Sequence, residues 1–248
     1  MKRIRLAEIP IEIHSLYDSV PHVEEYETED APAFTVSIEE QDILDEQRKS
    51  MAEAAYEGIV YPGYSAPELE STAIYRKIAA KLPEYDAFVF HGSAVAVGDR
   101  AYLFTAKSGT GKTTHTRLWL KNIADSYVVN GDKPIIRLID NTAYVCGTPW
   151  MGKEGYGCNR VVPLAAVCLI DRGQSNRIER VEFQRVYPRL IGQSYRPENG
   201  ALVVKTVRLL ERLGRYVPIY ELACNMEDEA AFVAFEGMCG SQESRKQQ

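Results

Sequence analysis

Residues 106–113 read Ala106-Lys107-Ser108-Gly109-Thr110-Gly111-Lys112-Thr113, and this stretch decides the fold. It matches the phosphate-loop pattern G-x-x-x-x-G-K-[ST], with alanine in the first position. The residues before it, 102–105, are apolar and favour a β-strand, and residues 113–120 after it contain no glycine or proline. The stretch therefore predicts a strand, a loop that binds phosphate groups and a helix, in that order.

The residue types in this loop suit a nucleoside triphosphate. Gly109 and Gly111 allow a positive φ, which turns backbone N–H groups inward, and the following helix adds its free N-terminal N–H groups. Lys112 supplies a cation for the β- and γ-phosphates, and Thr113 supplies a hydroxyl ligand for Mg²⁺. A negative φ at Ala106 would make alanine acceptable there. We assign nucleotide binding to the run Ala106, Lys107, Ser108, Gly109, Thr110, Gly111, Lys112, Thr113 and Thr114.

Composition narrows the class of protein. The chain has 248 residues, of which 45% are hydrophobic and 26% charged, as is usual for a globular protein. A net charge of −6 argues against non-specific binding of nucleic acid. The five cysteines form no C-x-x-C pair, which is typical of reduced thiols. Neither a membrane-spanning apolar run nor a signal peptide is evident, so we expect a cytoplasmic protein without a membrane partner.

The pattern of strands and helices predicts three regions. Residues 1–84 form an N-terminal region of strands and helices packed on the core, residues 85–240 form a P-loop domain, and residues 241–248 form a disordered tail. We predict strands at residues 2–14 (broken or bent at Pro10) and 33–38, and helices at 39–56 and 68–82. In the C-terminal part we predict a helix at 199–213, a strand at 216–222 and a helix at 227–238.

The middle of the chain is rich in strands. Short apolar runs that favour strands occupy residues 87–91, 94–97, 102–105, 127–129, 134–138, 143–146 and 165–170. A single helix, the one after the phosphate loop, interrupts the series. This pattern predicts an α/β fold with a mixed, largely antiparallel sheet, and it differs from the regular strand–helix alternation of dinucleotide-binding folds.

Three motifs together resemble a known family. His91-Gly92 precedes the loop, the loop continues as Ser-Gly-Thr-Gly-Lys-Thr-Thr to Thr114, and a later strand ends in Asn130-Gly131-Asp132. Their order resembles the C-terminal domain of HPr kinase/phosphorylase and, more distantly, ATP-dependent phosphoenolpyruvate carboxykinase. The resemblance covers about residues 87–215. It implies a mixed-sheet phosphate-loop fold of the HPr kinase/phosphoenolpyruvate carboxykinase type.

Two further stretches fit the resemblance, and both depart from the family pattern. Residues 155–159 resemble the G-x-G-x-x-N core of the HPr kinase signature, shortened by one residue, and residues 195–199 resemble its R-P-G-R-N segment. The family's paired aspartates are reduced to Asp132 alone. The second arginine of R-P-G-R-N is missing, and Lys153 and Glu154 stand where the signature has its arginine. The chain therefore resembles a divergent member of the HPr kinase family, and these departures argue against HPr as its substrate.

The resemblance also implies roles for single residues. Asp132 would hold Mg²⁺ or accept the proton of the acceptor hydroxyl, and His91 would support it. Catalytic roles therefore fall to Asp132, His91, Lys112 and Arg196, and metal binding falls to Thr113 and Asp132. Lys153 and Arg160 are further candidates for a cation at the γ-phosphoryl group, and Glu154 is a further candidate for a metal ligand. His115 is expected to be a solvated or a packing residue without a catalytic role.

The leading hypothesis is an ATP-dependent kinase that transfers the γ-phosphoryl group to a hydroxyl of a protein, a peptide or a small molecule, with Mg²⁺ as cofactor. GTP in place of ATP is not excluded by any motif. The main alternative is a nucleotide-binding switch or scaffold without transferase activity. A phosphoenolpyruvate carboxykinase-type enzyme is less favoured, because the chain is short and shows no histidine and lysine cluster for a second metal. The expected partner is the phosphoacceptor, with no nucleic acid or membrane, and homo-oligomerisation is left open.

Overall fold

A three-stranded sheet and a nine-stranded sheet carry the helices of this chain, for which the computed structural model describes residues 1–107 and 109–243. In chain order the elements are β1 (Lys2–Leu6), β2 (Ile9–His14), β3 (Phe34–Ser37), α1 (Glu40–Glu57), α2 (Ala66–Lys81), β4 (Ala87–Val89), β5 (Ser93–Val97), β6 (Arg100–Thr105), α3 (Lys112–Asn122), β7 (Ser126–Asn130), β8 (Ile135–Ile139), β9 (Thr142–Cys146), β10 (Val161–Arg172), β11 (Arg177–Val181), α4 (Phe183–Gln193), α5 (Gly200–Tyr216), β12 (Ile219–Cys224) and α6 (Glu229–Glu243).

The N-terminal strand predicted at residues 2–14 is an antiparallel hairpin of β1 and β2. The chain turns at Ala7 and Glu8, whose φ angles are 49° and 60°, so the strand is broken there and not at Pro10. Pro10 lies inside β2, where its carbonyl accepts a hydrogen bond from the Ala33 N–H at 2.8 Å. A proline is tolerated at such a position because it lacks only the N–H donor.

The large sheet has the strand order β4-β8-β9-β10-β6-β5-β7, with β12 paired to β10 and β11 paired to β12. The pairs β10–β6 and β10–β12 are parallel, and the other pairs are antiparallel. The predicted α/β class with a mixed, largely antiparallel sheet is therefore confirmed. The 12-residue β10 joins the two halves: its first residues pair with β9, and its later residues pair with β6 and β12.

Both faces of the large sheet are covered. Helices α4 and α5 bury Leu190 and Leu210 against one face, and helices α3 and α6 bury Trp119 and Ala234 against the other. A third cluster joins the small sheet and α2 to the β8 end of the large sheet. The N-terminal region thus shares a core with the rest of the chain, while its treatment as a separate unit ending at residue 84 stays a prediction.

The C-terminal helix α6 runs to Glu243, so residues 241–243 of the predicted tail are helical, and residues 244–248 lie outside the described part. Across the described residues, no helix is both long enough and apolar enough to cross a membrane.

His115 lies in the core beneath the phosphate loop, so of the two expected environments, solvated and packed, the structure shows the packed one. Its side chain on α3 is 2% exposed, and its Nε2 accepts a hydrogen bond from the indole N–H of Trp119 at 3.0 Å. Its ring meets that of Phe104 edge to face, with centroids 4.7 Å apart. Burial lowers the pKa of His115 to about 4, so the imidazole is neutral in the folded protein at neutral pH.

This shift predicts an acid-sensitive core. Because the pKa of His115 is lower in the folded state than its ordinary value of about 6.5, stability is lost as the pH falls from 6.5 towards 4. For His115 alone we expect a loss of about 2 kcal/mol of unfolding free energy between pH 7 and pH 5. Urea unfolding of the wild type and of His115→Gln measures it, and the variant should show a shallower pH dependence. The exposed His22 gives the control, His22→Gln, and equal slopes in all three proteins would contradict the prediction.

Candidate active site

The phosphate loop lies where β6 ends and α3 begins, as the sequence predicts. Gly109 and Gly111 have φ angles of 74° and 128°, the conformations for which glycine is suited. Ala106 is not among the described residues with a positive φ, which fits an alanine in the first position. Ser108 lies outside the described residues, so its predicted role stays a prediction. The loop thus has the local geometry expected of a phosphate-binding turn.

Three predicted binding residues start the helix after the loop. Lys112, Thr113 and Thr114 form the first turn of α3, where backbone N–H groups are free to bind an anion. The Lys112 ammonium folds back and donates a hydrogen bond to the Ala106 carbonyl at 3.2 Å. Burial lowers the pKa of Lys112, and the negative charge of Asp132 opposes that shift. A partly buried cation therefore stands between the loop and Asp132.

The structure brings His91 and Asp132 together. The Gly92 N–H donates to the Asp132 carbonyl at 2.9 Å, which fixes the two chain segments side by side. The His91 Nε2 lies 3.6 Å from Asp132 Oδ1, an ion-pair distance that is too long for a hydrogen bond. Both side chains are about one third exposed, at 37% and 34%. The pair is therefore reachable from solvent and is not locked by a mutual hydrogen bond.

The charges around His91 keep its imidazole neutral. Burial lowers the pKa of His91, and the positive charge of Lys112 lowers it further, while Asp132 opposes both. Lys133 adds a second positive charge, with its ammonium 3.9 Å from Asp132 Oδ2. A neutral imidazole can accept a hydrogen bond as well as donate one. The site therefore combines one carboxylate, one neutral histidine and two lysines.

Asn130 holds Asp132 in place, and this role was not predicted from the sequence. The Asn130 side chain is fully buried at the end of β7. Its Oδ1 accepts hydrogen bonds from the N–H groups of Asp132 and Lys133 at 3.0 and 2.8 Å. Its Nδ2 donates to the Thr148 hydroxyl at 2.9 Å. An asparagine two residues before the candidate carboxylate was the available signal, since its amide can bond the backbone of the turn that follows.

Residues 151–158, which include part of the stretch that resembles the family signature, run along the end of β7. The Tyr156 carbonyl accepts a hydrogen bond from the Gly131 N–H at 2.9 Å. Gly152 packs so closely that a Cβ placed on it would lie 2.7 Å from the Asp132 Cβ. Glu154 forms an ion pair with Arg117 on α3. The segment therefore forms one wall beside Asp132, and Glu154 is engaged by an arginine.

The remaining predicted cations are not brought into the site. Arg160 lies over the ring of Tyr127, with its guanidinium carbon 4.8 Å from the ring centre. Arg196 and Lys153 are exposed, and within the described residues no hydrogen bond or ion pair joins either side chain to the loop or to Asp132. The arginine that does reach the loop is Arg172, at the end of β10, which the sequence did not single out.

A cleft of about 310 Å³ opens beside His91. Helix α2 forms one side, and the end of α4 with the residues after it forms the other. Its lining includes Tyr75, Arg76, His91, Lys133, Gln193 and Tyr195. The cleft therefore leads from solvent to the residues that surround Asp132.

Comparisons with known proteins show similarity only at the level of a distant fold relationship. No protein-family model and no curated protein sequence matches this chain. Among solved structures, the HPr(Ser) kinase/phosphatase from Coxiella burnetii aligns with a TM-score of 0.34 and 7% sequence identity, over 64% of this chain and 99% of that one. The similarity is a distant one in fold, and a TM-score this low carries no argument about activity.

The packing of Gly152 against Asp132 predicts an unequal effect of two alanine substitutions. Gly152 and Gly155 both have positive φ angles, 77° and 66°, so alanine is strained at each by about 1–2 kcal/mol. The space around Gly155 is open, whereas alanine at 152 would also press on Asp132. We expect Gly152→Ala to lose about 1–3 kcal/mol more unfolding free energy than Gly155→Ala. Denaturant unfolding of both variants checks this, and equal losses would show that the wall beside Asp132 is not packed as described.

Proposed function

We propose that this protein is an ATP-dependent kinase that transfers the γ-phosphoryl group to a hydroxyl acceptor. The observation that carries the proposal is the juxtaposition of the phosphate loop with the His91–Asp132 pair. Lys112 of the loop is close enough for its charge to act on His91 and to be acted on by Asp132. A carboxylate near the lysine of a phosphate loop suits phosphoryl transfer, in which positioning and charge neutralisation supply most of the catalysis.

The loop would bind the triphosphate through its backbone. The N–H groups of residues 109–114 and the N-terminus of α3 would face the phosphates, and Lys112 would exchange its hydrogen bond to the Ala106 carbonyl for the β- and γ-phosphate oxygens. ATP is proposed as the nucleotide on the resemblance alone.

Asp132 and Thr113 fit a magnesium site of the kind that nucleotides complete. Asp132 Oδ1 lies 3.6 Å from His91 Nε2, and Asp132 Oδ2 lies 3.9 Å from the Lys133 ammonium. Both distances are too long for hydrogen bonds, so both oxygens keep free lone pairs. Among the described residues, no three or more His, Cys, Asp or Glu side chains cluster as a metal site. One carboxylate and one hydroxyl, completed by phosphate oxygens and water, is a set that Mg²⁺ commonly uses. Bound there, Mg²⁺ would neutralise charge on the phosphate oxygens.

Asp132 would also serve the acceptor. Its carboxylate would orient the acceptor hydroxyl and take its proton as the new oxygen–phosphorus bond forms and the bond from the γ-phosphorus to ADP breaks. Neutral His91 would support Asp132 from 3.6 Å, and Asn130 would hold its backbone. The acceptor would enter through the cleft beside His91. A volume of about 310 Å³ is at the lower end for ligand pockets, so the cleft suits a small molecule or one side chain of a polypeptide.

The alternative of a nucleotide-binding switch has one observation in its favour. Arg196, the expected cation for the transferred phosphoryl group, is exposed, and in the described chain it makes no hydrogen bond to the loop. Such a protein would bind Mg·nucleotide and hydrolyse it slowly, without passing the phosphoryl group to a hydroxyl.

Lys112 should contribute strongly to nucleotide binding. We expect Lys112→Met to weaken Mg·ATP binding by about 10–100-fold, the range for losing hydrogen bonds between charged groups. Isothermal titration calorimetry measures the dissociation constant. Lys121→Met is the matched control, because Lys121 lies on the same helix and pairs with Asp228. If both variants bind Mg·ATP as the wild type does, nucleotide does not bind at this loop.

Substitution of Asp132 distinguishes the proposed kinase from the nucleotide-binding switch. We expect Asp132→Asn, which keeps the shape and removes the charge, to lower transfer from γ-labelled ATP to candidate hydroxyl acceptors by about 10²–10⁴-fold. Nucleotide should still bind, since the loop and Lys112 are unchanged. Asp171→Asn is the control, because Asp171 lies one residue before the end of β10 and pairs with Arg189. If no acceptor is labelled by the wild type and Asp132→Asn leaves any ATP turnover unchanged, the kinase assignment is wrong.

A further inference from the structure

Arg172 is the last residue of β10, and its side chain reaches the backbone of the phosphate loop. Strands β6 and β10 are parallel, with Leu169 opposite Thr105, so β10 extends beside the start of the loop. Cys168 and Ile170 face the cluster that contains Trp119 of α3. Because side chains alternate along a strand, Arg172 continues this face towards the loop and α3.

The guanidinium of Arg172 makes two hydrogen bonds to the loop backbone. Its Nη2 donates to the Gly109 carbonyl at 2.6 Å, and its Nε donates to the Thr110 carbonyl at 3.3 Å. In a phosphate loop the N–H groups point inward to the anion, so carbonyl groups are left pointing outward. Two donors in a fixed planar fork suit two neighbouring carbonyls, and lysine lacks that geometry.

The Arg172 guanidinium forms no ion pair with a carboxylate of the described residues. Within residues 1–107 and 109–243, no carboxylate lies at ion-pair distance from Arg172. The preceding Asp171 faces the other side of the sheet, where both its oxygens accept from Arg189 at 2.9 Å. A guanidinium whose only described polar contacts are two loop carbonyls therefore places its positive charge directly behind the proposed phosphate site.

We propose that Arg172 is the positioning residue of the phosphate loop: it holds the Gly109 and Thr110 carbonyls outward, so that the loop is already shaped for a nucleotide phosphate before one binds. This inference rests on the proposed function, which makes the loop a nucleotide site. Arg172 acts through the loop backbone and touches no reacting atom. Pre-shaping the loop strengthens binding, because less backbone freedom is lost when the phosphates arrive.

Two measurements on Arg172→Met and Arg172→Lys test the proposal. The first is amide hydrogen exchange of the peptide covering residues 106–114 in protein without nucleotide. The second is the dissociation constant of Mg·ADP by calorimetry, which requires no transfer. Arg177→Met is the control, because Arg177 is exposed on β11 and its described ion pair is with Glu179.

For Arg172→Met we expect about tenfold faster loop exchange and about tenfold weaker Mg·ADP binding, with the control unchanged. Arg172→Lys should fall between Arg172→Met and the wild type, because it keeps the charge without the fork. If Arg172→Met fails to fold, Arg172→Lys alone provides the test. Unchanged loop exchange in the folded variants overturns the proposal, and so does full recovery by lysine. Faster exchange in a protein whose wild type binds no Mg·ADP would support the role of Arg172 in shaping the loop and would overturn the proposed function instead.

Discussion

Strands β6 and β10 pair in parallel inside a sheet that is otherwise mostly antiparallel. This pairing places the chain segments of the candidate site at the same end of the strands. Because the two strands run in the same direction, the loop after Thr105 and the end of β10 at Arg172 meet there. Strand β5 is antiparallel to β6, with Ser93 opposite Phe104, so the segment that carries His91 enters at the same end of the strands. Strand β7 is antiparallel to β5 and therefore ends there too, which delivers Asp132. Four chain segments thus converge through strand direction alone.

Local patterns were enough to predict the strand–loop–helix unit, the mixed sheet and most other elements, because those depend on residues close in sequence. Two elements were not predicted. Helix α4 contains Pro188 and Gly192, both of which weaken a helical pattern. Strand β11 is short and polar, and it exists as an edge strand because β12 offers it a partner. In both cases contacts with distant parts of the chain override weak local preference.

The candidate site likewise contains residues that the sequence predicted and residues that it did not. His91 and Asp132 were proposed because motifs resemble a family, and the structure places them 3.6 Å apart. No motif suggested the supporting roles of Asn130 and Arg172. Arg172 bonds carbonyls 62 and 63 positions away in sequence, and Asn130 bonds Thr148, 18 positions away. Such pairs are set by strand register and by the faces of strands, which a single sequence without its fold does not reveal. Arg196 shows the converse: a motif suggested it, and the fold leaves it exposed.

The two ends of the candidate site are built by different parts of the chain. The loop end belongs to the large sheet, whereas the cleft beside His91 has α2 of the N-terminal region as a wall. Tyr75 of that helix stacks on Trp150 at 4.4 Å and donates from its hydroxyl to the Lys133 carbonyl at 2.5 Å, next to Asp132. Arg76 is held by two 2.8 Å bonds to Glu46, which is 2% exposed. Fixed geometry of this kind suits selection between ligands. Under the proposed function, residues of α2 would therefore determine which acceptor binds, while the phosphate loop would bind the nucleotide. Substitutions in α2 would alter acceptor preference without altering nucleotide affinity.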